Sequence, residues 1–164
     1  LYLNGKLVAE RATTREQEFK AVITVPYEPG TLRVAGVEDG REVESRTLET
    51  AGKPARIRLT ADRTEMAADG SSLAYVNVEV TDKEGRVIPN ADNQLRFRLE
   101  GPATLLATCS GDLKDCVPYT SSERKAWKGR AMAVVKAGRE PGTVTLSVSG
   151  KGLKKSSVSV RIGK

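Results

Sequence analysis

Leu73–Thr81 reads LAYVNVEVT, and its alternation decides the fold. Ala74, Val76, Val78 and Val80 fall on one side of an extended chain, with Tyr75, Asn77, Glu79 and Thr81 on the other. Successive side chains of a strand point to opposite faces, so this pattern buries one face and wets the other. The same period recurs on both sides of this stretch. Ile57, Leu59 and Ala61 alternate with Arg56, Arg58 and Thr60, and Leu95, Phe97 and Leu99 with Arg96, Arg98 and Glu100. Val144, Leu146 and Val148 repeat it, as do Val158, Val160 and Ile162 among serines and Arg161. Between these runs stand Lys83-Glu84-Gly85, Gly101-Pro102, Pro141-Gly142 and Gly150-Lys151-Gly152. Short strands punctuated in this way predict a β-sandwich over residues 54–164.

The first 53 residues read the same way. Asn4-Gly5 between Leu1–Leu3 and Lys6–Val8 predicts a two-residue hairpin, because both turn positions need positive φ. Phe19, Ala21, Ile23 and Val25 predict a strand, and turns at residues 26–30 and 38–40 set off Leu32–Val37 and Arg41–Leu48. About five strands are few for a complete sandwich. The expected fold is therefore all-β: two tandem immunoglobulin-like β-sandwich modules, 1–53 partial and truncated at its N-terminus, and 54–164. Gly52-Lys53-Pro54 marks the boundary, and charge shifts across it. Residues 1–53 carry 8 Lys/Arg against 9 Asp/Glu, and residues 54–164 carry 19 against 12. The chain opens on Leu1, not Met, inside a predicted strand, which predicts a fragment of a longer polypeptide. No apolar run approaches the ~20 residues of a membrane helix, so no membrane insertion is expected.

The chemistry-bearing residues are few. The chain has no His, which removes Ser-His-Asp and Cys-His arrangements and every His-based metal site. No glycine-rich loop opens a helix, so phosphate cradling of the P-loop or dinucleotide type is excluded. The carboxylates stand at outward strand positions or in turns, and read as solvated surface. Asp69, Asp82 and Asp92 read as turn residues, since the spaced oxygen ligands of a calcium loop are missing. No catalytic residue, metal site or cofactor is expected.

Cys109 and Cys116 are the only cysteines. Their six-residue spacing can close a disulfide if the loop folds back, worth roughly 2–3 kcal/mol in the chain-entropy model. The alternative is two free thiols. A disulfide would place the parent outside the cytoplasm. Arg124, Lys125, Lys128 and Arg130 make a basic cluster, as do Lys151, Lys154 and Lys155. Nucleic-acid binders pair such patches with stacking aromatics or an inserted helix, and here Trp127 is the lone aromatic. No nucleic-acid partner is expected. Trp127 reads as a buried plug or an inter-domain contact, with a ligand platform as the alternative. Trp127, Arg124 and Asp112 are the candidate interface or glycan contacts.

Several runs resemble the C-terminal β-sandwich modules of family 2 glycoside hydrolases, the β-galactosidase-like enzymes of Bacteroidetes. Leu3-Asn4-Gly5-Lys6, Val25–Leu32 (VPYEPGTL) and Thr50–Ile57 (TAGKPARI) resemble the hairpin, next signature and bridge of the module that follows the catalytic barrel. Leu73–Asn93 (LAYVNVEVTDKEGRVIPNADN), Arg124–Gly129 (RKAWKG) and Val144–Lys154 resemble the last module. The chain departs from the pattern at Cys109–Cys116, where the family carries a G-N-G-D loop and only Gly111-Asp112 matches.

The resemblance implies a parent similar to exported retaining exo-glycosidases, whose two catalytic glutamates lie on an upstream barrel. No residue here matches either glutamate motif. The implied role is a non-catalytic accessory segment that packs on upstream catalytic domains of the same polypeptide, supports homo-oligomer contacts or shapes access to the site. A periplasmic or extracellular location goes with it. The alternative is a stand-alone carbohydrate-binding or cell-surface spacer module.

Overall fold

The computed structural model describes residues 1–163, and they form strands without any helix. The chain divides into two compact units, Leu1–Thr50 and Ala51–Lys164. Ala51 and Gly52 belong with the second unit. Ala51 packs against its core, and the Gly52 N–H donates to the Asp82 carboxylate at 2.9 Å.

Unit 1 is one antiparallel sheet of β1 (Tyr2–Leu3), β2 (Lys6–Leu7), β3 (Thr31–Glu38) and β4 (Arg41–Glu49), in the order β2-β1-β3-β4. Asn4 and Gly5 take φ of 52° and 81°, as the predicted hairpin requires. Asp39 and Gly40 make the same positive-φ turn between β3 and β4. Register sorts the two faces. Leu3, Leu32 and Leu48 line up across three strands, with Val34 next on that face. The opposite face carries Tyr2, Arg33 and Thr47, with the Arg33 guanidinium paired to Glu42 and lying 5.5 Å from the Tyr2 ring centre. No side chain of residues 1–50 is fully buried.

The strand expected over Phe19–Val25 is absent. Glu18 and Phe19 take positive φ, and the Phe19 N–H turns back to the Thr14 carbonyl at 2.9 Å. That reversal leaves the following residues without a neighbouring strand to share a ladder. A strand's N–H and C=O groups need such a partner, whatever the side-chain period. Val22 is accordingly 84% exposed.

Unit 2 is a two-sheet sandwich. One sheet holds β5 (Arg56–Ala61), β7 (Leu73–Thr81), β11 (Arg130–Ala137) and β9 (Ala103–Cys109), in that order. The other runs β10 (Glu123–Lys125), β8 (Gln94–Glu100), β12 (Gly142–Gly150), β13 (Ser156–Gly163) and β6 (Glu65–Ala67). The inward rows named above meet between the sheets. Val76, Val78, Val80, Leu95, Phe97, Leu146 and Val148 form the larger core cluster, and Met66, Ala74, Val135, Val144 and Ile162 the smaller. β9 and β11 escape the alternation rule. The inward Ala131, Ala133 and Val135 of β11 are buried, but its intervening Met132 and Val134 are apolar and half-buried as well, and β9 carries a bulge opposite Val134 and Val135.

Candidate functional site

The most elaborated polar chemistry of unit 2 gathers at one loop, residues 110–119, between β9 and β10. Its anchor is Arg124, the middle residue of β10, which points inward and is 1% exposed. Arg124 Nη1 donates to Asp115 Oδ2 at 2.6 Å and to the Val117 carbonyl at 3.0 Å. Its Nη2 donates to the carbonyls of Thr108 and Pro118, both at 2.8 Å. Nε reaches Thr108 Oγ1 at 3.4 Å, and the Tyr119 ring centre lies 5.8 Å away. The planar five-donor fork of guanidinium suits this work, where an ammonium would satisfy fewer acceptors. Arg124 beside Asp115 holds that carboxyl below the usual carboxylate range, helped by the Val117 N–H.

Arg124 is therefore corrected from a candidate interface or glycan contact to an internal clamp. Its hydrogen bonds are directed into the protein, and burial removes it from any partner. The sequence held no signal for this, since Arg124 stands between two other charged residues, Glu123 and Lys125, in a strand too short to show a period.

Asp112 is half-buried and builds a turn, its Oδ1 accepting from the Lys114 N–H at 3.0 Å. Cys109 and Cys116, the expected disulfide pair, stand as free thiols on the two limbs of the loop. Cys109 ends β9 opposite Met132, half-buried, and burial pushes its thiol pKa up against the opposing pull of Arg124. Cys116 is exposed, with Sγ 3.6 Å from the Lys114 carbonyl. The turns built by Asp112 and Asp115 aim it back along its own loop.

Trp127, expected to be buried, is 41% exposed. It pairs with Arg130 across a tight turn in which Lys128 and Gly129 take φ of 49° and 75°. A side chain at 129 would collide with the Ile88 carbonyl, so glycine is required there. The indole edge rests on Gly111, where an added Cβ would come within 3.1 Å of Cδ1, and Lys128 Nζ lies 5.8 Å from the ring centre. The basic cluster is dispersed by pairing. Lys125 bonds Asp92 at 2.8 Å, which raises the lysine pKa and lowers the aspartate's, and Arg130 pairs with Glu79.

The turn aspartates serve structure. Asp82 is buried and accepts from the N–H groups of Gly52, Glu84 and Arg86 at 2.8–3.0 Å. Asp69 accepts from the N–H groups of Ser71 and Ser72, both at 2.7 Å, and these bonds hold its carboxyl far below the ordinary range.

The family model for glycoside hydrolase family 2 C-terminal domain 5 matches residues 57–159, nearly all of the sandwich just described. The chain belongs to the family 2 glycoside hydrolase C-terminal domains. Residues 1–44 match a second model, a domain of unknown function designated DUF4982. Relatives of this C-terminal domain lie in much longer proteins. The β-galactosidase BoGH2A of Bacteroides ovatus is 32% identical over 160 residues, which is 98% of this chain and 19% of that protein. A β-glucuronidase of Formosa agariphila is 29% identical over 98% of this chain and 16% of its own length. Among solved structures, a family 2 glycosyl hydrolase of Bacteroides cellulosilyticus superposes with a TM-score of 0.93 at 32% identity, over 99% of this chain and 21% of that one. The C-terminal domain thus spans about a fifth of the length of these relatives.

Proposed function

We propose that this chain is a non-catalytic accessory segment of a β-galactosidase-like retaining glycosidase, docked on the rest of that polypeptide through unit 1. The observation that carries the reading is the leucine face of unit 1, half-buried at Leu3 and Leu32 and exposed at Val34 and Leu48. Leu3, Leu32, Val34 and Leu48 line one side of a sheet that buries none of its side chains fully, and Leu48 is 71% exposed. Sheet faces of this composition are stable when another layer covers them. The length of the relatives supplies polypeptide for such a layer. An exported location, periplasmic or extracellular, is part of the proposal and rests on the resemblance of the parent.

Two measurements test it. The purified chain hydrolyses neither aryl β-galactosides nor aryl β-glucuronides; turnover that survives repurification and disappears on replacing one of its own carboxylates overturns the reading. In the complete polypeptide, Leu32→Lys with Leu48→Lys lowers the melting temperature, whereas in the isolated chain the same pair is nearly silent. An equal effect in both contexts also overturns it.

The exposure of Trp127 favours a second reading, a glycan contact at its indole. Soluble β-galactosides titrated against the fluorescence of this sole tryptophan decide it. A saturable shift lost in Trp127→Ala supports the contact, and an unchanged spectrum rejects it.

A further inference from the structure

The two free thiols flank one buried guanidinium. Arg124 bonds the carbonyl of Thr108, the residue before Cys109, and the carbonyl of Val117, the residue after Cys116. The Thr108 N–H also donates to the Tyr119 carbonyl at 2.7 Å, so the end of β9 and the returning limb of the loop run side by side. Carbonyls bonded to neighbouring nitrogens of one guanidinium are held within a few ångströms of each other. The clamp therefore brings the two cysteine-bearing limbs together, while the thiols differ in access: Cys116 is exposed and Cys109 half-buried.

We propose that Cys109 and Cys116 form a thiol–disulfide exchange site, in which Cys116 takes up an external disulfide of the glutathione class and Cys109 resolves it. The Cys116 thiolate attacks one sulfur of oxidised glutathione, the S–S bond breaks, and one glutathione leaves as a thiolate that takes up a proton. Cys109 then gives up its proton and attacks the Cys116 sulfur, closing the intramolecular disulfide and releasing the second glutathione. Two protein thiols are oxidised and one glutathione disulfide is reduced to two thiols. Access and thiolate fraction govern such exchange, which puts entry at Cys116 and resolution at Cys109. Burial of the Cys109 thiol, which raises its pKa, further disfavours it as the entry thiol. Nothing in this step depends on what the chain docks against.

The reduced chain incubated with oxidised glutathione and read by intact mass tests the site. Wild type loses two hydrogens and retains no glutathione, Cys109→Ser stops with one glutathione attached, and Cys116→Ser reacts roughly tenfold or more slowly than Cys109→Ser. Wild type that retains one or two glutathiones, or keeps two titratable thiols, overturns the proposal without reference to either variant. A Cys116→Ser protein that reacts as fast as Cys109→Ser overturns the order of attack.

Discussion

Arg124 and Asp82 show how unit 2 spends its buried charges. A buried ion pair contributes little net stability over an apolar substitute, but removing one partner strands the other. Arg124→Met leaves Asp115 and the carbonyls of Thr108, Val117 and Pro118 without their common donor. It is expected to cost about 3–5 kcal/mol in urea unfolding. Arg124→Lys should recover only part of this, since one ammonium cannot span the same acceptors. An Arg124→Met protein as stable as wild type would show that the clamp is dispensable. Asp82 makes a pH prediction. The Gly52 N–H is the main influence lowering its carboxyl pKa, opposed by burial and aided by Arg86. A carboxyl whose native pKa lies below its unfolded value of about 3.9 contributes fully above that value. The contribution is lost as pH falls through the native pKa. Asp82→Asn should therefore be less stable than wild type at neutral pH, with a shallower decline on acidification. Parallel pH profiles for the two proteins would contradict this.

Elements were legible in the sequence where one face was apolar and the other polar. β5, β7, β8, β12 and β13 carry that contrast, and each lies where its alternation placed it. β11 and β9 do not: the outward Met132 and Val134 of β11 are apolar and half-buried, and the register of β9 slips at a bulge that leaves Leu106 unmatched between Leu105 and Ala107. A strand covered on both faces loses the period from which it would be read. Phe19–Val25 is the converse case, a strand-like period in a segment with no neighbouring strand to complete a ladder. Of the site, the loop's position was legible from its cysteines and the glycine-aspartate pair. The inward turn of Arg124 and the outward face of Trp127 were not, because both depend on which limb packs beneath them. Burial also separates the leucines. Leu146→Ala, in the core at 2% exposure, is expected to cost about 2–5 kcal/mol. Leu48→Ala, on the open face of unit 1, should change the stability of the isolated chain by no more than about 0.5 kcal/mol. Denaturant midpoints compare them directly, and a large loss at Leu48 would mean that its face is already covered.

At the scale of the whole molecule, the chain pairs a sandwich that holds its own core with a sheet that holds none. Every fully buried apolar side chain among the described residues lies between Ile57 and Ile162. Residues 51–164 expressed alone should unfold in one cooperative transition, and residues 1–50 alone should show none by circular dichroism. On the proposed reading, the segment depends on the polypeptide that carries it through the open leucine face of its first unit. Native-state hydrogen exchange on the monomeric chain tests that claim most directly, because amide protection reports the free energy of local opening. Amides of Thr31–Glu49 are predicted to exchange much faster than those of Leu73–Thr81 and Gly142–Gly150. Equal protection in the two regions, in a demonstrated monomer, would contradict the account.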